Sequence, residues 1–193
     1  MPKIARESLM TLEAYARARS DFRARVIAHK KTRSVHLGEH VTLLFEDELT
    51  MRYQVQEMLR IERIFEEQGI DDELAAYNPL VPDGHNLKAT MLIEYEGAEE
   101  RKLALESMKG IEDRVYVAVG ALARVLSIAD EDMERENADK TSSVHFLRFE
   151  CAPGMIAAMR NGEATRIGVD HPYYRAETLL DAATRAALAA DFA

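Results

Sequence analysis

Hydrophobic positions recur along this chain with two different periods, and the places where the period changes mark the elements. From Thr11 to about Lys31 the spacing is helical, with Leu12, Tyr15, Phe22, Val26 and Ile27 recurring at three- and four-residue steps. Val35 and Leu37 then alternate with polar residues before Gly38-Glu39, and Val41 to Phe45 is rich in β-formers. Two short strands around a turn follow from that pattern. Helical spacing returns after Asp47 or Thr50, either of which can cap a helix, and runs to about Gln68, where Gly69 ends it. A short helix is expected over 71–77 and a Pro/Gly loop over 78–86. Strands are expected over 87–95, 114–119, 124–129, 143–151 and 165–169. Helices are expected over 98–108, 153–161 and 176–190, and a polar connection over 130–140. The strand at 143–151 (SVHFLRFEC) is apolar on both sides, so it is expected to be central. Strands joined by short turns, with helices before and after, predict an α+β fold. Its sheet is mainly antiparallel and flanked by helices, with a long N-terminal and a C-terminal helix, in one domain spanning 1–193.

One polar residue breaks the apolar pattern. In QVQEMLRIERIFEE, residues 54–67, a turn of about 100° per residue places Met51, Val55, Met58, Leu59 and Phe65 on one face. Glu62 falls near the middle of that face, Gln54 at its edge and Glu57 well around the side. A carboxylate in an apolar setting needs a cation, a metal or a hydrogen-bonded network. Arg148 on the 143–151 strand could bridge to Glu62, which makes the acid an anchor. A histidine and a metal in its place make it a site, with general acid or base chemistry in reach; the remaining alternative is that Glu62 reaches solvent by bending around the stripe.

Charge and composition narrow the function classes. The chain carries a net charge of −9, which argues against general affinity for nucleic acid. The charge is uneven: residues 1–33 hold nine Lys/Arg against three acids, +6, so the remainder carries −15. The basic segment is either a solvated helical face or a docking surface for an acidic partner or a phosphate-bearing ligand. Its candidate docking residues are Arg23, Arg25, Lys30, Lys31 and Arg33. A single cysteine, Cys151, excludes an internal disulfide framework and a cysteine-built zinc or iron–sulfur site. The first residues lack a continuous apolar stretch of the signal-peptide kind, and no apolar run reaches the roughly 20 residues of a membrane span. A cytoplasmic protein with no membrane partner is expected.

Catalytic motifs are scarce. No GxGxxG, P-loop or GxSxG pattern occurs. His36-Leu37-Gly38-Glu39-His40 has the two-histidine spacing of helical zinc motifs but sits in a strand-turn-strand context. His85 lies in the Pro/Gly loop, His145 on the apolar strand, and His171 before Pro172. If Glu57 or Glu62 met one or more of these histidines, the pair or triplet would make an N/O transition-metal site. The candidate buried polar or metal cluster is therefore Gln54, Glu57, Glu62, His85, His145 and Arg148.

Several long blocks resemble a bacterial family known only as domain of unknown function 3501. They are FRARVIAHKKTRSVHLGEHVTLLFED, QVQEMLRIERIFEEQGIDDELAAYNPLVPDG, KATMLIEY, IADEDMEREN and KTSSVHFLRFE, spread over about residues 10–175. The resemblance implies a cytoplasmic protein encoded beside rubrerythrin-like ferritin-fold proteins and iron–sulfur oxidoreductases. An accessory, partner-binding role in iron handling or peroxide defence follows from that setting. A metalloprotein or enzyme with a Glu/His site is the alternative. No catalytic residues carry over, because the family has no established activity.

Overall fold

A computed structural model describes residues 3–129 and 140–192. The expected connection at 130–140 falls almost wholly outside them. In chain order the helices are α1 (Leu12–Lys30), α2 (Glu48–Glu62), α3 (Glu67–Tyr77), α4 (Ala98–Ser107), α5 (Pro153–Arg160) and α6 (Ala182–Ala189). The strands are β1 (Ser34–Leu37), β2 (Val41–Glu46), β3 (Asn86–Ile93), β4 (Val115–Val119), β5 (Val125–Leu126), β6 (Val144–Glu150), β7 (Thr165–His171) and β8 (Tyr174–Leu179). The fold is α+β, and every strand pair is antiparallel.

The strands form two four-stranded sheets, β1-β2-β3-β6 and β5-β4-β7-β8, rather than one. Both curl around one apolar interior. Alternate residues of six strands point inward: Val35 and Leu37, Leu43 and Phe45, Ala89 and Met91, Val115 and Val117, Leu147 and Phe149, Ile167 and Val169. This is the period-2 pattern of strands with one face in a core. Each seam between the sheets is stitched. On one side Ile128 and Arg148 exchange two backbone hydrogen bonds of 2.8 Å. On the other, the Tyr174 hydroxyl donates to the Leu37 carbonyl at 2.6 Å, and the Thr178 hydroxyl donates to the His36 carbonyl at 2.6 Å. The 143–151 strand, expected in the centre of its sheet, is thus the last strand of the first sheet and lies at a seam.

Helices close what the sheets leave open. Met155, Ile156 and Met159 of α5 join Leu188 of α6 and Phe192 in the interior cluster. On the outer side of the first sheet, Met51, Val55 and Leu59 of α2 pack with Leu74, Leu80 and Phe146. α1 rides on α2 through Tyr15, Phe22 and Val26, which meet Leu49 and Tyr53. Capping sets the helix starts. The Thr11 hydroxyl accepts from the Ala14 N–H, Asp47 and Thr50 form a reciprocal capping box, and the Asp181 carboxylate accepts from the Thr184 N–H.

Two boundaries differ from the sequence pattern. The helix expected to run to Gln68 stops at Glu62, because Arg63 turns into the left-handed conformation (φ 56°) and its N–H bonds to the Leu59 carbonyl. Gly69, expected to end that helix, lies inside α3. Residues 174–179, expected to lead into and begin the C-terminal helix, are instead an edge strand paired with β7 from His171↔Tyr174 to Arg166↔Leu179. Their Ala and Glu residues suit a helix in isolation. Pairing with β7 overrides that preference, and the alternation of half-buried and exposed positions shows it.

On the outer face of the second sheet the Tyr116 ring lies across the backbone of Gly168. A Cβ at Gly168 would stand 2.4 Å from the ring. The ring cannot swing aside easily, because its hydroxyl bonds to Glu177 at 2.8 Å and the Arg124 guanidinium sits 4.0 Å above it. Gly168→Ala is expected to lower unfolding free energy by about 1–3 kcal/mol through overpacking. Chemical denaturation checks it, and Tyr116→Ala in the same chain should recover part of the loss.

Candidate functional site

Packing around α2, not position on the helical wheel, decides which carboxylate is buried. Glu62 becomes the last residue of α2 and is exposed to solvent, not central to an apolar face. Phe65, expected on the same core face, is 73% exposed. The buried acid is Glu57, which faces α1. It accepts from the Tyr15 hydroxyl at 2.7 Å, from Arg19 at 2.8 and 2.9 Å, and from Arg60 at 3.4 and 3.2 Å. Donation from Arg19 lowers its pKa to about 2 against the opposing cost of burial, with Tyr15 and Arg60 adding to the effect. Burial, together with this bond to Glu57, pushes the Tyr15 phenol upward. A carboxylate so fully supplied with donors has no lone pair left for a metal and no proton to give near neutrality. It is a clamp between α1 and α2. Beside it, the fully buried Gln56 accepts from the Met10 N–H at 2.7 Å and fixes the chain before α1.

A second buried cluster centres on Arg33. This residue was expected to dock a partner, yet it is 1% exposed. Its backbone pairs with Phe45 beyond the end of the β1–β2 ladder, so its side chain shares the inward parity of Val35 and Leu37. The guanidinium donates to the carbonyls of Phe45 at 2.9 Å, Glu46 at 3.2 Å and Ala187 at 3.3 Å, and to the Asp191 carboxylate. It also lies 3.5 Å from Asp47, whose other partner is His29 Nε2 at 2.5 Å. Burial raises the Asp191 pKa to about 6, and Arg33 offsets only part of that. At Asp47 burial is outweighed by Arg33, the Thr50 N–H and His29, and the net shift is downward. Next to it Glu46 is 4% exposed. Thr90 donates to its Oε1 at 2.7 Å, while its Oε2 has no hydrogen-bond partner among the described residues. Burial raises its pKa and favours the neutral acid.

The six residues expected to form one cluster are dispersed. His85 is exposed and precedes β3, at the Asn86↔Glu150 end of the β3–β6 ladder. His145 pairs with Met91 towards the other end and faces the interior, where its Nε2 lies 3.0 Å from the Thr141 hydroxyl and 3.9 Å from Glu112. Glu57 and the half-buried Gln54 belong to α2, outside the first sheet. Arg148 pairs with Glu150, not with Glu62. Among the described residues no group of three or more His, Cys, Asp or Glu is placed to hold a metal ion. Burial pushes the Cys151 thiol up to about 12, which keeps it from acting as a nucleophile at neutral pH.

The basic face survives in part. Arg23, Arg25 and Lys31 are exposed, Lys30 is half-buried, and Arg25 covers the rim of Phe22 at 5.1 Å. Phe22 and Val26 hold the opposite side of the same helix against α2. Outward cations on an inwardly anchored helix make a presented surface. No described helix is long and apolar enough to cross a membrane.

The chain matches, over residues 3–192, the family described as "Protein of unknown function (DUF3501)". It is similar over its full length to a solved structure, a novel protein of unknown function from Burkholderia pseudomallei K96243. The two share 54% identity, with all of both chains covered and a TM-score of 0.94. No curated protein matches it.

Two stability predictions follow from the buried charges. Folded Glu57 titrates at about 2 instead of 4.5, so its contribution is complete above pH 4.5 and is lost as pH falls towards 2. That gap corresponds to about 3–4 kcal/mol at most, at about 1.4 kcal/mol per pH unit. Glu57→Gln should lose up to this amount at pH 7 and should flatten the acid limb of a stability–pH curve measured by urea denaturation. Arg33→Ala leaves the buried Asp191 without its cation and removes one of two cations near Asp47, and should cost about 3–5 kcal/mol. Asp191→Asn keeps the shape and should cost less by the same measurement.

Proposed function

This chain belongs to the DUF3501 family, and from that premise we propose that it is an accessory protein that docks an acidic partner surface against the outer face of α1. The observation that carries the reading is the disposition of charge. Arg23, Arg25 and Lys31 project from one helix, while residues 34–193 of the −9 chain carry −15. Such a field orients an acidic partner and speeds encounter. The helix that bears the cations is held rigidly by the Glu57 clamp to Tyr15 and Arg19, so their positions are set before a partner arrives. Arg33 takes no part, because its charge is spent inside. The resemblance to proteins encoded beside rubrerythrin-like and iron–sulfur partners supplies the partner class: an acidic protein of an iron or redox system that defends against peroxide.

The test is a titration of the co-encoded rubrerythrin-like protein by calorimetry at several salt concentrations. Affinity should fall as salt rises, since the contacts are exposed ion pairs. Arg23→Glu with Lys31→Glu should weaken binding by about tenfold or more, a change of roughly 1.4 kcal/mol, with the melting temperature unchanged. Binding equal to wild type in the double variant would remove α1 as the docking face.

A further inference from the structure

The residue that the helical pattern assigns to the core and the fold turns outward is Phe65. It is 73% exposed, and Ile61, one turn earlier, is 60% exposed. Both stand at the α2–α3 break that Arg63 creates. Immediately beside them is a groove of about 340 Å³ lined by Leu12, Glu13, Leu59, Ile64, Ile70 and Phe65 itself. An apolar cavity of about 150 Å³ suffices to take a benzene ring. One surface therefore carries both a protruding aromatic and a hollow large enough for it.

We propose that this surface is a two-fold contact between copies of the chain, in which Phe65 of each copy enters the groove of the other. Three features favour a second copy over a foreign partner. Knob and hole are adjacent on one patch, which is the requirement of a self-complementary, closed interface. The charges at the patch have both signs: Glu13 lines the groove, and the exposed residues flanking Phe65 include Glu62 and Glu66 on one hand and Arg63 on the other, with Arg6 and Glu67 already paired at 2.7 Å. A two-fold axis lays a patch against itself, so a mixed rim can set Arg63 against a carboxylate of the other copy. A rim of one sign would repel itself and would suit a partner of opposite charge instead. Lastly, α2 ends before Phe65: residues 63–66 leave the helix, Arg63 in a conformation disfavoured for a residue with a Cβ, and a phenyl ring stands in water. Burial of the ring in a second copy offsets both costs. The contact does not use Arg23 or Lys31 and stands apart from the docking reading above.

Sedimentation equilibrium with light scattering on the full chain tests this, over about 1 to 100 µM. The expected mass at the upper end is twice the chain mass of 21.8 kDa. Phe65→Glu should return it to the single-chain mass with an unchanged circular dichroism spectrum. Leu103→Glu, at an equally exposed apolar residue of α4 (65%), should leave the dimer intact. A photo-crosslinking residue at position 65, in a mixture of isotopically light and heavy chains, should join light to heavy through Leu12, Ile64 or Ile70. A single-chain mass for wild type throughout the range overturns the proposal. So does a dimer that survives Phe65→Glu, or light-to-heavy crosslinks that fall outside the groove.

Discussion

The structure turns on one buried cation. Arg33 sits where α1 ends and β1 begins, and its guanidinium reaches the end of β2, the cap of α2 and the last turn of α6. Segments more than 150 residues apart in sequence meet at that one planar group. A guanidinium offers five donors in a fixed fork, so it can satisfy several carbonyls and carboxylates at once, as an ammonium cannot. Taking such a charge out of water is costly, and the cost is recovered only because two carboxylates and three carbonyls converge on it. The α2 cap depends on the same group, since Asp47 both accepts from the Thr50 N–H and faces Arg33.

What is buried at Arg33 fixes what is displayed on either side of it. α1 is held at its end by His29 on Asp47 and along its length by Glu57. That leaves its outer cations in set positions. At the far end of α2 the left-handed Arg63 directs α3 away and puts Phe65 on the surface. The two surfaces differ in kind. The exposed side of α1 carries more cations than acids and suits salt-dependent contact. The α2–α3 corner is apolar with a mixed rim and suits close packing. Both are built on the same helix pair, which the buried Glu57 clamps together.

Much of this was legible in the sequence where local patterns decide. The β1–β2 hairpin around Gly38, the cap at Asp47, the Pro153 helix start and the antiparallel α+β class all follow from residues near one another in the chain. Arg33 was readable too, by a signal that charge counting hides. Its parity with Val35 and Leu37 turns it inward, although its neighbours Lys30 and Lys31 assign it to a basic surface. The acid in α2 was misplaced for a different reason. A helical wheel puts Glu62 on the core side but does not say how far along α2 the packing runs: the buried face ends at Leu59, and Glu57 is buried on another side because α1 covers it.

The sequence by itself determined period, caps and turn positions, because those depend on interactions within a few residues. It determined the uneven charge as well, which is a property of composition. Tertiary structure alone decided the rest. It split the strands into two sheets closed by Tyr174 and Ile128 and made residues 174–179 a strand by pairing them with β7. It ended α2 at a residue with no intrinsic reason to stop it. It brought Asp191 to Arg33, and no local rule relates those positions. Contacts at long separation set the free energy of each choice, and local preferences of a few tenths of a kcal/mol per residue yield to them.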